Sequence, residues 1–289
     1  CGVSVFRVKN EISSFDKFLE MINKAILKTK ESSYIWNFDN GNHFITYGQI
    51  KGSSGLQDGK YVILHSSASE FKNQFNGLYP TKNNWYSDKI RIIQDNKNNR
   101  YLRFITGKTA EHFSNLAQML VGYNEVRHRF FSSLIFGENN IEEEVQNIQH
   151  YGMPTNNSIA IGCQWFQQKS LYFLLTAPDI PIYVVESSAG LNNSLSLNGV
   201  NLHLTSHGLG LESVKDLFIS YEPEKLKVNG VHFGLGERLS YEKDVRVRSI
   251  GIQHSTSVPT IVNEILSRCP GNIVGQFFPI FSYDRRNSI

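Results

Sequence analysis

Cys1-Gly2-Val3-Ser4-Val5-Phe6-Arg7-Val8 alternates between two faces: Val3, Val5 and Arg7 on one, Ser4, Phe6 and Val8 on the other. That two-residue period reads as a β-strand opening directly after residue 1. Cys1 carries a thiol and, as a chain start, a free α-amine on the same residue. An α-amine has an ordinary pKa of about 7.7–8.0, so a good fraction is neutral near neutral pH and able to take the thiol proton. One residue then holds both nucleophile and base, and the strand behind it would hold both rigidly. The alternative is that Cys1 marks only a fragment end or a trimmed signal site.

Composition bounds the rest. The 289 residues suffice for one large domain or two small ones, and 40% are hydrophobic, ample for a core. Lys and Arg number 29 against 26 Asp and Glu, a net charge of +3. This is too small to argue for nucleic acid, and no run of basic residues stands out. No apolar run reaches the roughly 18 residues of a membrane span. The cysteines are Cys1, Cys163 and Cys269, with no zinc-ligand spacing, so no metal and no cofactor are expected. An odd, sparse set argues against a disulfide framework and for a reducing compartment, so a cytoplasmic location is expected. Cys1 would arise by methionine removal or by release of a propeptide.

Outward from the first strand, Phe15, Phe18, Leu19, Ile22, Ala25 and Ile26 recur at helical spacing behind the caps Ser13 or Ser14, and the helix ends near Lys28–Lys30. Residues 34–50 are aromatic and β-branched, broken by the turn signal Asn40-Gly41. Tyr61–His65 and Lys89–Ile93 read as strands. Residues 110–131 read as a helix with Phe113, Leu116, Ala117 and Leu120 on one face, and Ile141–Gln149 as a second, short helix with an acidic start. Residues 159–163 and 170–175 read as paired strands turned at Gln167-Gln168, and 181–185 as a third. Helices are expected over 212–218 and 260–268. Interleaved helices with several adjacent strands predict an α+β, antiparallel-rich fold.

The order and spacing of these elements resemble the class II glutamine amidotransferase domain, the N-terminal-nucleophile domain of asparagine synthetase-like proteins. Cys1-Gly2-Val3 looks like that family's Cys-Gly-Ile start, and Gly52-Ser53-Ser54-Gly55 stands in the place of its Arg-Gly-Pro-Asp-x-x-Gly loop. Leu64-His65 resembles the strand end Gly-His-x-Arg-Leu, Ile92–Asn96 the strand leading into an Asn-Gly pair, and 170–174 with 181–183 the later hairpin. The resemblance spans about residues 1–190, with 191–289 continuing the domain or forming a small α/β extension. It implies a layered αββα fold with stacked antiparallel sheets. It also implies Cys1 as nucleophile and Asn96 as oxyanion donor, with Gly2, His65, Ser66 and Ser67 at substrate-binding places. Lys97 stands where the family has Gly, and Ser66 and Ser67 where it has the substrate-binding Arg.

The function expected is therefore an amidohydrolase acting on a small-molecule amide such as a glutamine side chain, through a thioester. Ammonia would pass to a separate synthase partner, since no Ser-Gly-Gly-x-Asp-Ser loop follows; nucleic-acid and membrane partners are not expected. The alternative is an amidotransferase-like binding or regulatory module that has lost the reaction, and a third reading is an unrelated α+β protein. Other motifs point to structure. His65 and Ser66 are adjacent on one strand and so face opposite ways, which makes them a poor dyad. Arg127-His128-Arg129 reads as a solvated helix face, Gly208-Leu209-Gly210 as a turn, and Cys163 and Cys269 as core residues.

Overall fold

The computed structural model describes residues 2–71, 85–95, 100–155, 158–161, 163–176, 178, 180–189, 194–197, 199–206, 208, 211–213, 219–221, 225–228, 231–234, 245–247, 262–263, 265–267 and 269–287. The chain divides into two compact units, one of residues 1–69, 118–210 and 249–289, the other of residues 70–117 and 211–248.

The first unit is organised by a seven-stranded antiparallel sheet. Strand β1 (Gly2–Val8) is buried and paired on both sides. One neighbour is β3 (Gly59–Ser66), in register from Gly2↔Ser66 to Val8↔Lys60. The other is Ile141–Gln149, from Gly2↔Gln149 to Val8↔Ile141 with two bulges. Beyond β3 come β2 (Phe44–Ile50), the long strand Gly271–Asp284, then Ile182–Ser187 and Leu171–Leu174. The edge strands Ile141–Gln149 and Leu171–Leu174 are tied by one side chain. Gln146 Nε2 donates to Leu171 O (2.7 Å) and Phe173 N donates to Gln146 Oε1 (3.2 Å). A primary amide thereby stands in for a ladder rung across two edges, and the sheet curls nearly closed, which leaves those edges less exposed to pairing with other chains.

Three apolar clusters show how the faces are used. Phe6, Val8, Ile45, Tyr47, Val62 and Leu64 pack under Phe18, Ile22 and Ala25 of helix α1 (Phe15–Thr29) and under Phe131, Ile135 and Phe136 of helix α2 (Gly107–Phe136). On the opposite face Val3, Val5, Tyr61 and Ile63 meet Phe173, Ile182, Val184 and Phe277, so the two halves of the curled sheet pack on each other. Outside the far half, Tyr172, Leu174 and Val185 pack against Val262, Ile265 and Leu266 of a helical stretch. Ser14 caps α1 as expected, accepting from Lys17 N at 3.2 Å.

In the second unit Arg91–Asp95 and Arg100–Phe104 form a hairpin, Leu211–Ser213 pairs Val245–Val247, and Ile219–Tyr221, Lys225–Val228 and Val231–Gly234 form a small sheet. Tyr86 packs edge-on against Phe113 at 5.2 Å.

Several local expectations change. Ile141–Gln149 is a strand, not a helix: it runs the full length of β1, and ladder pairing there outweighs the helix preference of its three glutamates. Residues 158–161 pair with Tyr151–Thr155 and Leu171–Leu174 with Ile182–Ser187, so the expected 159–163/170–175 pair does not form. Only the second half of 34–50 is a strand; the preceding turn holds Gly41 at φ 64°, a left-handed conformation suited to glycine. Leu211–Ser213 is a strand where a helix over 212–218 is expected, the remainder of that stretch lying outside the described residues.

Candidate functional site

The start of β1 lies in a buried polar cluster, unusual in a protein interior. Gly2 is clamped between Ser66 of β3 and Gln149 of the strand Ile141–Gln149. A Cβ at Gly2 would sit 2.6 Å from Gln149 Cδ, so no larger residue fits without moving that side chain. Cys1 and Asn96 lie outside the described residues. Gly2, to which Cys1 is bonded, fixes where the chain enters the sheet.

Helix α2 supplies the polar groups. Its buried stripe runs Phe113, Ala117, Leu120, Asn124, Arg127, His128, Phe131 and Ile135. The steps of three and four are those of one helix face, and its middle turn is polar. The expectation that Arg127 and His128 are solvated is therefore wrong: both are 0% exposed. The apolar period that identifies α2 also runs through them, and extending it past Leu120 is the signal that finds them.

His128 Nδ1 lies 2.7 Å from Ser4 Oγ and its Nε2 2.8 Å from Ser66 Oγ. Arg127 Nη1 donates to Ser66 Oγ at 2.6 Å, and its Nη2 donates to Ile35 O (2.6 Å) and Asn37 Oδ1 (2.8 Å). Asn37 Nδ2 donates onward to Ser67 O (2.6 Å) and Ser69 Oγ (3.0 Å). Burial, and then the adjacent Arg127 charge, hold His128 well below the ordinary histidine pKa, so it is neutral. Neutral His128 donates through one ring nitrogen and accepts through the other, so it bridges Ser4 and Ser66 in either tautomer, and Ser66 accepts from Arg127 in both.

On the other face of β3 stands His65, 2% exposed, with its ring 5.7 Å from that of His43 and 5.4 Å from that of His150. Asn42 O accepts from His65 Nδ1 (3.0 Å) and Asn37 O from His43 Nδ1 (2.9 Å). A carbonyl only accepts, so both rings carry a proton on Nδ1. The structure thus brings Gly2, Ser66 and the Ser67 carbonyl into one cluster with α2, and sets His65 among histidines across the sheet. The Ser66 hydroxyl is committed to His128 and Arg127. Among the described residues no group of His, Cys, Asp and Glu has metal-binding geometry, and no helix is long and apolar enough to cross a membrane.

Burial also lowers the His43 pKa from 6.5 to about 4. The sign follows from linkage. Below pH 6.5 the unfolded chain takes up protons that folded His43 and His128 refuse. Stability should therefore be complete above that value and fall by about 1 kcal/mol per pH unit for His43 as pH drops toward 4, with His128 adding in the same direction. Urea midpoints measured across this range should decline steadily; a flat profile would show that neither ring stays neutral in the fold.

No protein-family model matches the sequence, and no curated protein and no solved structure shows significant similarity to it.

Proposed function

We propose that the protein is an N-terminal-cysteine amidohydrolase of the class II glutamine amidotransferase type. The observation that carries this reading is the clamp on the first described peptide: Gly2 is paired on both sides and enters a fully buried cluster of hydroxyl, amide, imidazole and guanidinium groups. Such a frame holds a nucleophile on residue 1 at low conformational cost. The apolar clusters are consistent with the layered αββα order: helices α1 and α2, two sheet halves packed face to face, and the helical residues Val262, Ile265 and Leu266.

In this reading the α-amine of Cys1 removes the thiol proton. The thiolate attacks an amide carbonyl, with the Asn96 side chain a candidate donor to the oxyanion. The ammonium returns its proton to the leaving amine as the C–N bond breaks, and water hydrolyses the thioester. The substrate is a small amide such as a glutamine side chain, and the ammonia released would serve a separate synthase.

The test is intact-mass analysis after exposure to a diazoketone analogue of glutamine. One adduct is expected, on the peptide that begins with Cys1. The other two thiols are poor competitors: both are free and half-buried, and burial pushes the Cys163 thiol up. Absence of an adduct, or an adduct confined to Cys163 or Cys269, would remove the proposal.

A further inference from the structure

A second chain of hydrogen bonds ends at the start of β1, and its direction can be read. Arg129 Nε donates to Glu144 Oε2. Asn147 Nδ2 donates to Glu144 Oε1 at 2.7 Å. Gln149 Nε2 donates to Asn147 Oδ1 at 2.8 Å, and Asn124 Nδ2 donates to Gln149 Oε1 at 2.7 Å. An amide oxygen and nitrogen can exchange places with little change of shape, so such assignments need an anchor. The Glu144 carboxylate is that anchor, because an ionised carboxylate only accepts. It requires the nitrogen of Asn147, hence the oxygen of Asn147 toward Gln149, hence the oxygen of Gln149 toward Asn124. Every amide is oriented, and the chain ends on Asn124 Oδ1.

That oxygen is a buried acceptor without a hydrogen-bond partner among the described residues, on a side chain 0% exposed. Leaving such a group unmatched costs its full desolvation, so a fold that orients it through three successive amides needs a donor for it. Its place says which donor. Gln149, its own partner, is the register neighbour of Gly2, and Asn124 Nδ2 also lies 3.5 Å from the carbonyl of Ser66, the other register neighbour of Gly2. The chain group next to Gly2 is Cys1, which bears the amine that gains a proton in the reaction.

We propose that Asn124 is a positioning residue whose Oδ1 accepts an N–H of the α-ammonium formed on Cys1. The inference rests on the N-terminal-nucleophile reading above. In the step it serves, the S–H bond of Cys1 breaks and an N–H bond forms on the same residue, giving thiolate and ammonium with no other reactant. An acceptor aligned by a distant carboxylate favours the ammonium over the neutral amine, and so lowers the apparent thiol pKa.

The experiment is the pH dependence of Cys1 alkylation by iodoacetamide, read by mass of the N-terminal peptide, in the full chain and in the Asn124→Leu and Asn124→Asp variants. In the wild type, alkylation should titrate below the ordinary thiol range. Asn124→Leu removes the acceptor and should slow alkylation about tenfold at a pH below the transition. Asn124→Asp adds a charge that favours the ammonium and should shift the profile the opposite way, to lower pH. His65, His43, His150, Arg127 and His128 are common to all three proteins, so a loosened fold does not produce shifts of opposite sign. If Asn124→Leu fails to fold, the Asn124→Asp shift alone decides. A wild-type profile in the ordinary thiol range would sink the N-terminal-nucleophile reading itself. A depressed wild-type profile left unmoved by both variants would sink only the role of Asn124.

Discussion

Under the proposed reading, Cys1→Ala is expected to abolish amide hydrolysis, a loss on the order of 10⁴-fold or more, while the urea midpoint stays where it was. The two halves of this expectation have separate grounds. Chemically, alanine offers no nucleophile, so in the proposed reaction no thioester can form. Structurally, the β1 ladder runs from Gly2, with Ser66 on one side and Gln149 on the other, and its backbone pairing is the same in the variant. Cys1→Ser should retain a little activity, since a hydroxyl with its much higher pKa is a poor nucleophile beside the same base. An added residue ahead of Cys1 discriminates further. It turns the amine into an amide that accepts no proton, and activity should be lost although the thiol is intact. Full activity in the extended protein would show that the base lies elsewhere, and His65, whose Nδ1 donates to Asn42 O, is the ring to test next.

Much of the sheet is visible in the sequence because its central strands alternate faces: Val3 and Val5 against Ser4 and Phe6. Helix α1 shows its cap and its period. Ile141–Gln149 does not read as a strand, because its residues are helix formers and what makes it a strand is a partner more than a hundred residues away. The long strand Gly271–Asp284 is similarly determined by β2 and Ile182–Ser187 rather than by its own pattern. The polar cluster is hidden for a different reason. Arginine, histidine and asparagine on a helix are ordinarily solvated, and only their coincidence with the stripe from Phe113 to Ile135 marks them as buried. Asn147 and Gln149 are neighbours on one strand, but Asn124 lies on a helix 25 residues before Gln149, and no local rule joins the three amides into one oriented chain. Gly2 and Ser66 are legible as neighbours of the chain start, but the engagement of Ser66 with His128 and Arg127 is not.

Arg127→Met should destabilise the fold by about 3–5 kcal/mol, read as a lower urea midpoint with an unchanged slope. The opposite outcome has a physical case. A buried charge is costly to desolvate, and exchanging it for an apolar residue of similar volume can be neutral or stabilising. The decision lies with what the guanidinium leaves behind. Arg127 donates to Ile35 O, Asn37 Oδ1 and Ser66 Oγ, and methionine donates to none of them. Hydrogen bonds to a charged donor are worth roughly 1.5–3 kcal/mol each, and a buried acceptor left empty costs its desolvation. The guanidinium also lies 4.8 Å from the ring of Phe131 and 5.6 Å from that of Phe38, contacts worth about 0.5–2 kcal/mol when desolvated. Methionine recovers part of that packing but none of the bonds, so loss outweighs relief. Arg127→Lys separates the charge from the geometry: a compact ammonium cannot reach three acceptors set for a planar fork, and it should recover less than half of the deficit. Arg127→Met should also raise the His128 pKa, since the positive neighbour that helps depress it is gone there and kept in Arg127→Lys. Acid unfolding of Arg127→Met should accordingly carry a shallower pH dependence than that of Arg127→Lys. Equal slopes in the two variants would show that burial alone keeps His128 neutral.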